Sequence, residues 1–203
     1  MVLSFGVMSF AIGQLSGTAH DFSLATWNPD GPSGGKEVCI TCHTPHNADV
    51  TVAESPLWNH EVTIATFTVY NTTTLNATVG QPDGISKLCL SCHDGTVELD
   101  AFGGVATPST FITGNGLVGT DLANDHPISF TYDDALAGTD GELELPSTAP
   151  SGLGSDIDTD LLFGGKLECA SCHDVHGSGQ PYLLVKSNIG SALCITCHDK
   201  WIP

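Results

Sequence analysis

Apolar and polar residues come close to alternating over one conspicuous stretch, Val62 to Tyr70 (VTIATFTVY), which is rich in β-branched side chains. That pattern predicts a strand or one arm of a hairpin. A different pattern opens the chain: Val2 to Ile12 (VLSFGVMSFAI) is an uncharged apolar run with small residues behind it. It fits an export signal, with Ala11-Ile12-Gly13 as the cleavage site and Gln14 as the first mature residue. The run is too short to span a bilayer. The alternative is a buried N-terminal strand or helix. Glycine-rich stretches at Phe102–Gly119 and Gly138–Gly165 predict loops. Regular periodicity is otherwise scarce, so the expected architecture is a mostly irregular chain with short helices and little β. Residues 1–13 read as a signal-peptide remnant and 14–203 as a single domain.

Charge changes this picture by exclusion. Of 203 residues, 23 are acidic and five basic, giving a formal charge of −18. The basic residues are all lysine (Lys36, Lys87, Lys166, Lys186, Lys200), and arginine is absent. Such a chain has no basic footprint for displacing phosphate counterions, so nucleic acid is excluded as a partner. Attachment to anionic headgroups fails on the same ground. Hydrophobic residues at 40% argue against disorder driven by charge.

The eight cysteines supply the chemistry. They fall into four motifs of one form: Cys39-Ile-Thr-Cys42-His43, Cys89-Leu-Ser-Cys92-His93, Cys169-Ala-Ser-Cys172-His173 and Cys194-Ile-Thr-Cys197-His198. C-x-x-C-H is the attachment pattern of c-type haem. Its two thiols add across the haem vinyl groups, and the adjacent histidine reaches the iron as proximal ligand. Zinc, disulfides and thioredoxin-type redox pairs are the alternatives. Neither a four-cysteine zinc site nor a disulfide needs histidine after each second cysteine. Four such histidines by chance would be roughly a few in a million on this composition. Redox pairs belong to a βαβ setting that is not found here. The motifs therefore predict four haems, with a short helical turn at each and the chain wrapped around cofactors that supply much of its apolar interior. The last two motifs are close in sequence, joined through Tyr182 and Leu183-Leu184-Val185, and should be close in space.

The second axial ligands can be counted. Met1 and Met8 both lie in the presumed leader, so mature residues offer no methionine. Five histidines remain beside the proximal four: His20, His46, His60, His126 and His176. Four irons need four distal ligands, and one histidine is spare. His46 and His176 stand three residues after proximal histidines and cannot swing to the opposite face of their own haem, so each is expected to serve a neighbouring one. An iron held by two imidazoles has no position for substrate, and a lysine-poor, arginine-free chain builds no cationic clamp for oxyanions. Electron carriage is expected, and catalysis is not.

The segment from Tyr132 to Gly165 carries eight acidic residues and no basic one, and reads as a solvated acidic loop. Asp156-Ile-Asp158-Thr-Asp160 resembles the start of a calcium loop but lacks its glycine and closing glutamate, so that match is rejected. Lys36, Lys87, Lys166 and Lys200 sit close in sequence to the motifs and are candidates for neutralising haem propionates.

The stretches AHDFS (19–23), CHTPHNA (42–48), PLWNH (56–60), KLCLSCHDGT (87–96), NDHPISF (124–130) and ECASCHDVHG (168–177) resemble small exported tetrahaem c-type cytochromes of the doubled C-x-x-C-H family. The resemblance implies bis-histidine haems working in periplasmic or extracellular electron transfer. The chain is also similar in size and haem count to cytochromes that polymerise into extracellular conducting filaments. That similarity implies a homopolymer in which His46, or second His20, serves a haem of the next subunit. The alternatives are a soluble electron shuttle steered to a basic redox partner by its negative field, and a haem reductase with one open iron.

Overall fold

The computed structural model describes residues 15–28, 37–53, 55–105, 107–177 and 179–199. The apolar N-terminal run, Lys36 and Lys200 lie outside them. The described chain is mostly irregular, with few short helices and little sheet, as its patterning predicts. In chain order the elements are α1 (Gly84–His93), β1 (Phe130–Thr131), α2 (Asp134–Asp140), α3 (Ile157–Leu161), β2 (Lys166–Leu167) and α4 (Cys194–Cys197), with short 3₁₀ turns between them.

Helix α1 is the longest element and carries the second motif. It starts at Gly84, whose φ is +48° and where a Cβ would stand 3.2 Å from the Glu168 carboxylate, so the close approach requires glycine. Leu88 packs with Val52 and Trp58. Leu90 packs with Phe67 and Leu122. Two of the three apolar clusters are therefore built on this one helix, and they tie it to the chain between the first and second motifs and, through Leu122, to the chain beyond α1.

The third and largest cluster joins Phe130, Tyr132, Ala137, Ile157, Leu161, Leu162 and Leu167. It sits on the antiparallel pair β1–β2, in which Phe130 faces Leu167 and Thr131 faces Lys166. The expectation of loop over Gly138–Gly165 is corrected here, because α2 runs into that stretch and α3 lies inside it. The acidic residues supply caps: Asp133 accepts from the Leu136 amide at 2.8 Å and Asp156 from the Thr159 amide at 2.7 Å. Helices of seven and five residues are too short for a visible 3.6 period. Their stability comes from the caps and from burial, with fully buried Ile157 alone contributing roughly 1.5–3 kcal/mol.

The strand expected at Val62–Tyr70 is also corrected. Thr63 and Phe67 point inward while Ile64, Thr66 and Thr68 are exposed, so the burial period is that of a strand. Yet only Thr68 joins a bridge, to Asp121. The backbone partner at Phe67 is a side chain: the Gln81 amide accepts from Phe67 N at 2.7 Å and donates to Phe67 O at 2.9 Å. Alternation reports which face is buried, and a glutamine here replaces the neighbouring strand.

Candidate haem-binding sites

Each motif folds into a helical turn that presents its cysteines and histidine together. We number the sites 1 to 4 in chain order. The histidine amide reaches back to the first cysteine carbonyl in site 1 (His43 to Cys39, 2.8 Å), site 3 (His173 to Cys169, 3.0 Å) and site 4 (His198 to Cys194, 3.1 Å). In site 2 the same residues form the last turns of α1.

Sites 1, 3 and 4 share a second device, a latch made by a distant segment in a one-residue antiparallel bridge. In site 1, Thr44 N donates to Leu57 O (2.9 Å), Asn59 N donates to Cys42 O (3.0 Å), and His43 bridges Trp58. In site 3, Asp174 N donates to Leu183 O (2.7 Å), Val185 N to Cys172 O (2.9 Å), and His173 bridges Leu184. In site 4, Asp199 N donates to Glu142 O and Glu144 N to Cys197 O, both at 2.9 Å, and His198 bridges Leu143.

These contacts also fix the imidazoles. His43 Nδ1 donates to Pro56 O (2.6 Å), His93 Nδ1 to Gly116 O (2.6 Å) and His173 Nδ1 to Tyr182 O (3.0 Å). A metal-ligating histidine commonly gives its other ring N–H to a carbonyl, which sets the tautomer and leaves Nε2 for the metal. His43, His93 and His173 are prepared in this way.

Three motif histidines each face a second histidine. The ring centroids of His43 and His176 are 6.2 Å apart and near parallel at 14°. His93 and His20 stand 5.9 Å apart at 50°, and His198 and His126 stand 6.3 Å apart at 74°. Two imidazoles on opposite sides of one metal ion stand roughly 6 Å apart, given metal–nitrogen bonds of ~2.0 Å and roughly 1 Å more to each ring centre. The residues present therefore fit an iron between each pair. His20 Nδ1 is buried without a hydrogen-bond partner. Burial, with His93, His173 and His176 nearby, lowers the His20 pKa to about 4, which keeps the ring in its metal-binding neutral form.

The two remaining candidates differ. His60 is buried, with Nδ1 2.8 Å from Glu61 O, Nε2 2.9 Å from Glu98 O, and Cys92 Sγ 3.5 Å from Nε2. A neutral imidazole has one N–H for these two carbonyls. His46 is exposed, on a turn where its own amide and carbonyl bind the Thr44 hydroxyl.

Burial raises Cys42 to about 11, Cys92 to about 12 and Cys197 to about 11, so these are thiols, not thiolates, at neutral pH. The Cys89 thiol is raised and that of Cys169 lowered, each chiefly by the other, so sites 2 and 3 meet at their first cysteines. The junction is held by fully buried Glu168. Its Oε2 accepts from Ser86 N (3.2 Å), the Ser86 hydroxyl and the Ser129 hydroxyl (2.9 Å), and Ser86 Oγ accepts from Cys169 N (2.9 Å).

Of the lysines singled out by sequence, Lys87 and Lys166 line one open cleft of about 310 Å³, and Lys166 pairs with Asp83 at 2.5 Å. Sequence reasoning missed three kinds of participant: the carbonyls of Pro56, Gly116 and Tyr182, the carboxylate of Glu168, and Lys186, which reaches site 4. A carbonyl leaves no trace in sequence, and Lys186 lies eight residues before its site.

Among the described residues no helix is long and apolar enough to cross a membrane. No curated protein matches the chain. The doubled CXXCH motif family matches residues 163–201, which hold sites 3 and 4. These motifs indicate covalently bound c-type haem, and the match supports a multihaem c-type cytochrome-like protein.

Proposed function

We propose that this protein transfers electrons through four c-type haems, outside the cytoplasm. Each would be bound by two cysteines and the histidine of one motif, with a second histidine opposite. The observation that carries the reading is the set of three histidine pairs at 5.9–6.3 Å, each joining a motif histidine to one outside the motifs' C-x-x-C-H. On this reading His176 serves site 1, His20 serves site 2 and His126 serves site 4, leaving His46 and His60 as candidates for site 3. Haem held by two imidazoles exchanges electrons and offers no position for substrate. The protein's own part is to fix the imidazoles, through the Nδ1 contacts, and to keep sites 2 and 3 adjacent, through the Glu168 contacts. The reading does not make the chain an enzyme.

Intact mass and pyridine haemochrome assay of the exported protein should give four haems per chain, and EPR of the oxidised form should be wholly low-spin. Fewer haems, or a high-spin component, would overturn the proposal. A filament reading is favoured by one observation: His46 is exposed while His20 is partnered within its own chain. His46 is then the donor to a neighbouring copy. Absence of regular polymers in electron micrographs of native material would leave a soluble shuttle.

A further inference from the structure

We propose that Lys186 raises the reduction potential of site 4 above that of site 3, making site 4 the electron-accepting member of that pair. The inference depends on the electron-transfer reading above. Lys186 follows directly on the latch of site 3, where Val185 N donates to Cys172 O at 2.9 Å. Its side chain, however, turns to site 4. The ammonium donates to Thr196 Oγ1 at 2.8 Å and to Ser151 O at 2.6 Å. Thr196 lies between the two cysteines of the site 4 motif, is buried, and donates its own hydroxyl hydrogen bond to Ala192 O at 2.9 Å.

The place is shaped for this cation. A Cβ on Gly152 would stand 2.8 Å from Lys186 Nζ, at a φ of +78° that also favours glycine. Both hydrogen-bond acceptors are neutral. The acids nearby are Asp160, engaged by the Ser151 hydroxyl and the Ser155 amide, Glu144, whose amide donates to Cys197 O, and Asp199, which follows the site 4 histidine. Site 3 has a buried carboxylate beside it instead: Glu168 precedes its first cysteine, whereas an acid directly after the histidine, Asp174 or Asp199, is common to both sites.

Taking up an electron removes one unit of positive charge from a site. A fixed cation favours that change and a fixed carboxylate opposes it, most strongly where water is excluded. Lys186 and Glu168 therefore bias sites 4 and 3 in opposite directions. The transfer moves one electron from site 3 to site 4, and no bond or proton changes place.

The test is an EPR-monitored redox titration of the haem-loaded protein, with dithionite as reductant, for wild type, Lys186→Gln and Lys186→Arg. Site 4 is recognisable because its imidazole planes are 74° apart, against 14° at site 1, and near-perpendicular planes give the more anisotropic low-spin signal. In the wild type this signal should be lost at a higher potential than that of site 3. Lys186→Gln should move it to lower potential while the other three move less, and Lys186→Arg should leave it in place. Lys186→Met provides the same charge loss with the stem's packing kept, should the glutamine variant fail to fold. An unmoved site 4 signal, or an arginine variant shifted as far as the neutral ones, would overturn the assignment. Missing haems or high-spin iron in the wild type would instead defeat the reading on which it depends.

Discussion

Site 2 and the other three sites hold the same motif by different means. Site 2 rides on a ten-residue helix whose faces carry Leu88 and Leu90 into two apolar clusters. Sites 1, 3 and 4 have a single helical turn each and are held by backbone bonds to a remote segment. The latch segments are Pro56-Leu57-Trp58-Asn59, Tyr182-Leu183-Leu184-Val185 and Glu142-Leu143-Glu144, which share little sequence. A helix propagates its own hydrogen bonds and needs side chains only to dock it. A latch spends its bonds on one bridge and tolerates almost any side chain there. The helix therefore fixes site 2 through packing, while the latched sites depend on a few individual bonds.

The largest expected effect lies where the two modes join. Glu168 links α1 of site 2 to the turn of site 3 through two serines. Removing its carboxylate strands several buried donors, each at about 1–3 kcal/mol, so Glu168→Ala should cost about 3 kcal/mol or more in urea unfolding of the loaded protein. Haem content should fall at sites 2 and 3 before sites 1 and 4. Burial raises the Glu168 pKa above its ordinary 4.5, against the hydrogen bonds from Ser86 and Ser129 that lower it. The folded state thus holds this proton more tightly than the unfolded chain. The contribution is fully present below pH 4.5 and lost as pH rises through the folded-state value. Glu168→Gln should flatten that decline; an unchanged slope would show that the carboxyl is not its source.

The same contrast explains what could be read in advance. The four motifs were legible because covalent attachment dictates residue types and spacing at Cys39 to His43 and at each counterpart. The histidines were legible as candidates, but the facing of His43 with His176 depends on how site 3 packs on site 1, and no spacing encodes that. Helices α2 and α3 were hidden because their stability lies in the Asp133 and Asp156 caps and in a shared cluster, not in periodicity. The segment at 62–70 misled because Gln81 occupies the place of a strand.

A middle-sized effect separates a latch from the helix. Asn59 contributes its backbone amide to Cys42 O, and its side chain donates to Ile40 O at 2.5 Å, inside the site 1 motif. Asn59→Ala keeps the first bond and loses the second, for about 1 kcal/mol. Thermal unfolding should register that loss, and the haem signals should place it at site 1 alone. A matching disturbance at site 2 would mean that the sites are not held independently.

The smallest effect has the most informative sign. The latches of sites 1 and 3 place a leucine in the left-handed region, Leu57 at φ +54° and Leu183 at φ +56°. That conformation costs an L-residue about 1–2 kcal/mol and glycine almost nothing. Glycine returns about 0.5–1 kcal/mol of this through the freer unfolded chain. Leu57 is 57% exposed, so little burial is lost with its side chain. Leu57→Gly should therefore leave stability unchanged or raise it by about 0.5 kcal/mol, whereas Leu88→Gly in α1, with a buried side chain in helical backbone, should lose about 3 kcal/mol or more. Denaturant unfolding of the two loaded variants makes the comparison directly. If Leu57→Gly loses as much as Leu88→Gly, its side chain supports site 1 by packing, and the latch is more than a backbone device.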